Sequence, residues 1–329
     1  AGFDPPAPAG SRSAACARMN SYLPCGACVS LCAGFLVAFY AALPYLLLPA
    51  RPQTCRPSES LVILTGASGI IGRDAALHLA EQGYQVLGTV PSLEAVKALS
   101  SARNVTLMAC PGGSSACVEE LLQAVETQRT KGRHLAALVT CDGVLPRDLG
   151  REDLAGAAAA TVVAEAHATN VVGPLQVLGA LMSRLEEGAK TCGSARVVHV
   201  GSLAGVTSLP RHMAFAGAAG ALERVADATR RLLRRSGISV SLVQPGFVER
   251  GKDSAWHQRA MAESTTTPAI LDAVTAQRPY PRYPCAAAYG LPARIIASLV
   301  PLAPDALMDV VFELLEGAST SMPMDRKEL

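Results

Sequence analysis

From residue 61 to residue 244 the chain alternates short, unbroken apolar runs with longer segments whose apolar positions recur every three or four residues. Runs without alternation suit parallel strands buried on both faces, and the longer spacing suits helices that lay one face on a sheet. Six strands are predicted in this way, at Leu61–Thr65, Tyr84–Val90, Val105–Ala109, Leu135–Thr140, Arg196–Val200 and Val240–Gln244. Helices are predicted at Leu93–Leu99, Val118–Gln128, Ala164–Leu185 and Ala214–Arg235. A further helix follows the first strand, where Ile70, Ile71, Ala75, Leu79 and Ala80 form the sheet-facing side. Strands and helices in strict succession specify an α/β fold with a doubly wound parallel sheet. No repeat or second boundary interrupts it, so residues 61–329 are expected to form one domain.

Upstream the pattern changes. Met19 to Ala50 is 32 residues without a charge, long enough as a helix to exceed a hydrocarbon core of roughly 30 Å. Residues 23–50 are therefore expected to be a single transmembrane anchor, which Pro44 kinks or ends, between a tail at 1–22 and a polar linker at 51–60. Arginines on both sides (Arg12, Arg18, Arg51, Arg56) leave its orientation open.

The first strand runs directly into Gly66, Gly69 and Gly72 and then into the helix. A strand, glycine turn and helix in that order bring backbone N–H groups and the helix dipole against a diphosphate. Thr65, Gly66, Ser68, Gly69, Ile70, Ile71 and Gly72 are thus the candidate dinucleotide loop. Composition narrows the picture elsewhere. The formal charge is +2, and the basic residues do not alternate with aromatics, so no nucleic-acid surface is expected. Arg224, Arg230, Arg231, Arg234 and Arg235 cluster late in one helix, as suits its C-terminal dipole and a solvated face. Ten cysteines show no framework of pairs, which reads as a reducing compartment. Cys25 and Cys28 form a C-x-x-C inside the apolar run, without a second pair to complete a metal site, so no metal is expected.

With these motifs in view, the chain from about Ser58 to Leu315 resembles the short-chain dehydrogenases/reductases, whose fold is Rossmann-like. TGASGIIG at 65–72 looks like the family's cofactor loop, Asn170 in NVVGP like its helix asparagine, and Ser202 in HVGSLAG like its catalytic serine. Pro245-Gly246 looks like the turn that faces the nicotinamide. The late segment from AVTAQRPYP to DALMDVVF is similar to the membrane-associated 17β-hydroxysteroid and retinol dehydrogenases. The resemblance implies NAD(H) or NADP(H) as cofactor and hydrophobic alcohols and ketones as substrates. It also implies that a tyrosine thirteen residues after the serine carries the proton. A lysine four residues later, on the same helical face, would lower the tyrosine pKa.

Counting from Ser202, those two positions hold Phe215 and Ala219. Phenylalanine has no exchangeable proton and alanine no charge. His212 is weighed as a substitute acid and as a plain surface histidine, on the expectation that it lies three residues back along the helix from Phe215. Further departures follow. Thr140-Cys141-Asp142-Gly143 stands where the family has N-N-A-G, no aspartate ends the third strand at Ala109-Cys110, and Gly88-Thr89-Val90-Pro91 offers neither an acid nor an arginine for the ribose. The expectation is a membrane-anchored homologue without catalysis, an accessory subunit of a membrane complex that binds NAD, NADP or no cofactor. An active oxidoreductase of steroids, retinoids or keto-lipids is the alternative. An organelle membrane is expected, the mitochondrial inner membrane ahead of the endoplasmic reticulum, whose retrieval signal Arg326-Lys327-Glu328-Leu329 resembles only weakly.

Overall fold

The computed structural model describes residues 50–93, 99, 102–110, 115–155, 157–208, 210–246, 265–288 and 291–320. The expected anchor at 23–50 up to Pro49, the C-x-x-C, most of the expected helix at Leu93–Leu99 and the terminal Arg326–Leu329 lie outside them. Among the described residues no helix is long and apolar enough to cross a membrane, and no group of His, Cys, Asp and Glu could hold a metal ion.

The expected sheet is present, with one strand more. Strands β1 (Ser60–Thr65), β2 (Gln85–Val90), β3 (Val105–Ala109), β4 (His134–Thr140), β5 (Ala195–Val200), β6 (Ile238–Pro245) and β7 (Arg282–Cys285) lie in the order 3-2-1-4-5-6-7, and each pairing is parallel. Alternate residues of the central strands feed two cores. Val62, Leu64, Val139 and Val198 pack with Ala75 and Leu79 of α1 (Ile70–Glu81) and Ile270 and Val274 of α7 (Thr267–Thr275). Leu61, Ile63, Leu138 and Val197 meet Leu121 and Val125 of α2 (Ser115–Thr130) and Leu181 and Leu185 of α4 (Gly173–Thr191). Because both faces are covered, apolar residues point to both sides of these strands, which is why the sequence shows runs and not alternation.

Several elements differ from expectation. The long helix expected at Ala164–Leu185 is two, α3 (Ala158–His167) and α4, joined by a π turn at Ala168–Val172. Strand β7 was not expected: it is four residues long and contains Pro284, which an edge strand tolerates because one side needs no donor. Beyond it lie a two-residue antiparallel ribbon, β8 (Ala287–Ala288) with β9 (Leu291–Pro292), and helices α8 (Ala293–Leu299) and α9 (Asp305–Thr320). That late region leaves Leu299, Leu302 and Leu314 exposed at 60%, 80% and 68%.

The expected linker is instead a strap. Residues 50–56 cross the end of the sheet where strands begin, and a disulfide joins Cys55 to Cys192 at the C-terminus of α4. Arg51 donates its backbone N–H to Gln277 O at 2.7 Å and its Nη1 to Ile238 O at 2.7 Å, with Nη2 on Arg234 O. Its own carbonyl accepts from Ser194 Oγ at 3.0 Å and from Arg196 Nη2 at 2.6 Å, while Thr54 N donates to Cys192 O at 2.9 Å. A second disulfide joins Cys110 at the end of β3 to Cys117 in α2. The reading of unpaired, reduced cysteines therefore fails for these four. Their partners stand 137 and 7 residues apart, and only the fold brings the first pair together.

Candidate cofactor and active site

The candidate residues gather where β1, β4, β5 and β6 end, the edge at which open α/β sheets bind ligands. Gly66 turns the chain out of β1 with φ +70°, and a Cβ there would lie 2.5 Å from Cys141 O. Gly72 sits in the first turn of α1, where a Cβ would come within 2.3 Å of Gly66 O. The turn is closed by Gly69 N to Gly66 O at 3.1 Å and hung from β2 by Ala67 N to Thr89 O at 2.9 Å. Gly69 is the N-cap of α1 and brings no side chain to the N–H groups of the first turn, while Ser68 and Gly69 are exposed at the mouth. Free donors, a helix N-terminus and a cradle that any Cβ would fill are what a diphosphate requires. Thr65 lies beneath, buried, with its Oγ1 accepting from Cys141 N at 3.3 Å; Ile70 and Ile71 head the helix half-buried.

Ser202 follows β5. Its Oγ accepts from Ala204 N at 3.1 Å, at the start of the short helix α5 (Ala204–Thr207), whose N-cap is Leu203. Leu203 N reaches across to Pro245 O at 2.8 Å, which ties the serine turn to the end of β6. Gly246 N donates to Cys285 O at 3.0 Å, and a Cβ at Gly246 would stand 2.4 Å from Ala287 O. Asn170 occupies the π turn, 6% exposed, and clasps one residue with both ends of its amide. Oδ1 accepts from Val144 N at 2.9 Å and Nδ2 donates to Val144 O at 3.0 Å. It thereby fixes the loop that leaves β4.

Phe215 and Ala219 lie one turn apart on α6 (Met213–Leu232), the first half-buried and the second 4% exposed. Helix α5 rests on that turn: a Cβ at Gly205 would lie 2.9 Å from Ala219 C and Gly220 N. His212 is not on the helix face but is its N-cap, with φ −108° and ψ 32°, closing a 3-10 turn at Pro210–His212. Its Nδ1 lies 2.8 Å from Asp148 Oδ1, while Leu149 N donates to Arg211 O at 2.9 Å. The expected helical offset from Phe215 does not hold, because the first α-helical residue is Met213.

Two polar residues of the site were not expected. His199 on β5 is fully buried, with Nδ1 2.8 Å from Thr140 Oγ1, and burial lowers its pKa to about 4, so the ring is neutral. Asp142, beside the glycine turn, has its pKa raised by burial against the opposing hydrogen bond from Thr65, and the Cys141 thiol is pushed up to about 12 by burial and by Asp142. In the sequence, T-C-D-G after the fourth strand shows only the departure from N-N-A-G and not the surroundings of Cys141 and Asp142. The site therefore offers hydroxyls, an amide and backbone donors, next to titratable groups that burial biases toward their neutral forms.

A family described as short chain dehydrogenase matches residues 60–260. The chain belongs to the short-chain dehydrogenase family. Human 17-beta-hydroxysteroid dehydrogenase type 1 is 28% identical over 200 residues, which cover 58% of this chain and 57% of that enzyme. The match thus spans little more than half of the relative's length. Among solved structures, a short-chain dehydrogenase from Streptomyces avermitilis superposes with a TM-score of 0.61 at 20% identity, over 80% of this chain and 98% of the other. One from Burkholderia cenocepacia J2315, in complex with NADP, gives 0.60 at 18%, over 78% and 99%. At such identities the structures show a shared fold. The family membership rests on the sequence match.

Proposed function

We propose that this short-chain dehydrogenase homologue has kept the dinucleotide fold and given up the reaction. In this reading it is anchored in a membrane by residues 23–50 and serves as an accessory subunit of a membrane protein complex. The observation that carries the reading is the pair Phe215 and Ala219, one turn apart on α6, where the family resemblance calls for tyrosine and lysine. Loss of one positioned acid/base group costs about 10²- to 10⁴-fold in rate, before the lysine's share. Asn170 and Ser202 support it in a different way, since their polar atoms are engaged by the protein's own backbone. The turn from Thr65 to Gly72 is shaped to hold the diphosphate of NAD or NADP, with Pro245 and Gly246 bordering the nicotinamide end. A bound dinucleotide would supply hydride in an active relative; here it acts as a structural ligand or a sensor.

The test has two arms. Ligand binding to the native state raises stability, so NAD(H) and NADP(H) are expected to raise the unfolding temperature without turnover of steroids, retinoids or 3-keto lipids. Extraction from native membranes is expected to give a complex with other subunits. Migration as a free monomer or homodimer would sink the subunit role.

An active oxidoreductase is the second reading, favoured by His212 at the start of α6, whose Nδ1 lies 2.8 Å from Asp148 Oδ1 though without hydrogen-bond geometry. Turnover of a hydrophobic alcohol or ketone that vanishes in His212→Gln or Ser202→Ala would establish it in place of the first.

A further inference from the structure

The connections that feed the strands cross the end of the sheet opposite the glycine turn, and they carry basic side chains without acidic partners. Arg103 precedes β3, Lys131 precedes β4, Lys190 closes α4 ahead of β5, and Arg231, Arg234 and Arg235 lead into β6. All six are exposed, and none forms an ion pair among the described residues. Basic residues elsewhere on the same helices are neutralised: Arg230 pairs with Asp227 at 3.2 Å, and Arg184 pairs with Glu126 at 3.0 Å. The acids near this end are fewer than the cations. Glu187 is shared between Arg129 and Arg184, while Glu59 accepts from Arg56 N at 3.1 Å and Asp272 from the Tyr283 hydroxyl at 2.7 Å, neutral donors that leave these two carboxylates to count with Glu81 and Glu186 against the six cations. With a formal charge of only +2 over the whole chain, the basic end is a local imbalance.

Helix C-termini attract cations, and that accounts for single residues such as Lys190. It does not account for Leu232, which is 81% exposed between Arg231 and Arg234. Nor does it account for the strap, which brings the chain into the domain at this same end, directly after the 32-residue uncharged run that closes at Ala50.

We propose that this end of the domain is a docking surface for a bilayer rich in acidic phospholipid. The six cations pair with headgroup phosphates, and Leu232 enters the interface between them. The surface consists wholly of described residues, so it stands or falls separately from the anchor.

The experiment is amide hydrogen exchange of the full chain on phosphatidylcholine liposomes and on phosphatidylcholine mixed with phosphatidylglycerol. Each basic residue near an acidic surface is worth about fivefold in partitioning, so exchange at residues 131–134, 190–195 and 231–238 should slow by about that factor or more on the mixed liposomes. Raised salt should reverse it, and the triple variant Lys131→Gln, Arg234→Gln, Arg235→Gln should lose it while its circular dichroism stays the same. Equal exchange on the two kinds of liposome overturns the proposal. So does stronger protection of these segments by a DNA duplex, which would assign the surface to nucleic acid. A chain that washes off neutral liposomes but is protected on acidic ones keeps the surface and refutes the anchor.

Discussion

Where the strands of this sheet begin, a disulfide, two arginines and a strap of seven residues bind the chain to itself; where they finish, glycines hold the backbone apart and the polar side chains cap loops. At the first end Arg51 and Arg196 reach the carbonyls of Arg234 and Ala276, which close two helices, so the cations meet helix C-termini in place of carboxylates. At the second end Gly66, Gly72 and Gly246 each stand where a methyl group would collide with a backbone carbonyl. The contrast separates two jobs. The long-range disulfide and the strap's hydrogen bonds hold the first end, while the second keeps the close backbone contacts around its glycines.

The largest effect expected is at the strap. Cys55→Ser opens a bond spanning 137 residues, which chain entropy values at up to about 5 kcal/mol; urea unfolding should show that loss, with dinucleotide binding unchanged. Cys110→Ser, across 7 residues, should cost about half as much. If the two losses come out equal, the strap is no special anchor of stability.

His199 is expected to set the acid limit of the cleft end. The folded state keeps it neutral down to about pH 4, against an ordinary value of 6.5, so the unfolded chain takes up the proton first. Its contribution is intact above about pH 6.5 and is lost as the pH falls towards 4, by about 3 kcal/mol in total. Chemical denaturation across that range, wild type against His199→Gln, measures it: the variant should show a flatter acid limb.

Asn170→Ala removes both bonds to Val144 and is expected to cost about 2 kcal/mol, with faster amide exchange across residues 141–150. Gly72→Ala should cost a similar amount through its contact with Gly66 O, and should also abolish any stabilisation by dinucleotide. The smallest expected effect is that of Phe215→Tyr, which restores a hydroxyl without the lysine charge and should yield no measurable turnover. Turnover from this single change would show that the cleft end is closer to an enzyme than α6 suggests.

The sheet was legible because its buried strands leave unbroken apolar runs, and the glycine turn because strand, glycines and helix stand in immediate succession. Strand β7 was not, since RYPC is short, polar at one end and interrupted by proline. The π turn was hidden inside a continuous helical pattern, because one extra residue per turn does not disturb periodicity over so short a stretch. His199 and Asp142 were not legible for a different reason: what makes them part of the site is burial and their contacts with Thr140 and Thr65, which no local spacing encodes. The disulfide from Cys55 to Cys192 is the extreme case, a contact between a presumed linker and a helix end far along the chain.

That bond also redraws the border of the protein's smallest self-sufficient piece. The family match starts at residue 60 and stops at residue 260, and a fragment cut to those limits would lose Arg51 and Cys55 at one side and α7, with β7, at the other. It would strand Cys192 without its partner and bare the β6 edge to other chains. Truncation from either side should therefore produce aggregation long before it touches a residue of the glycine turn.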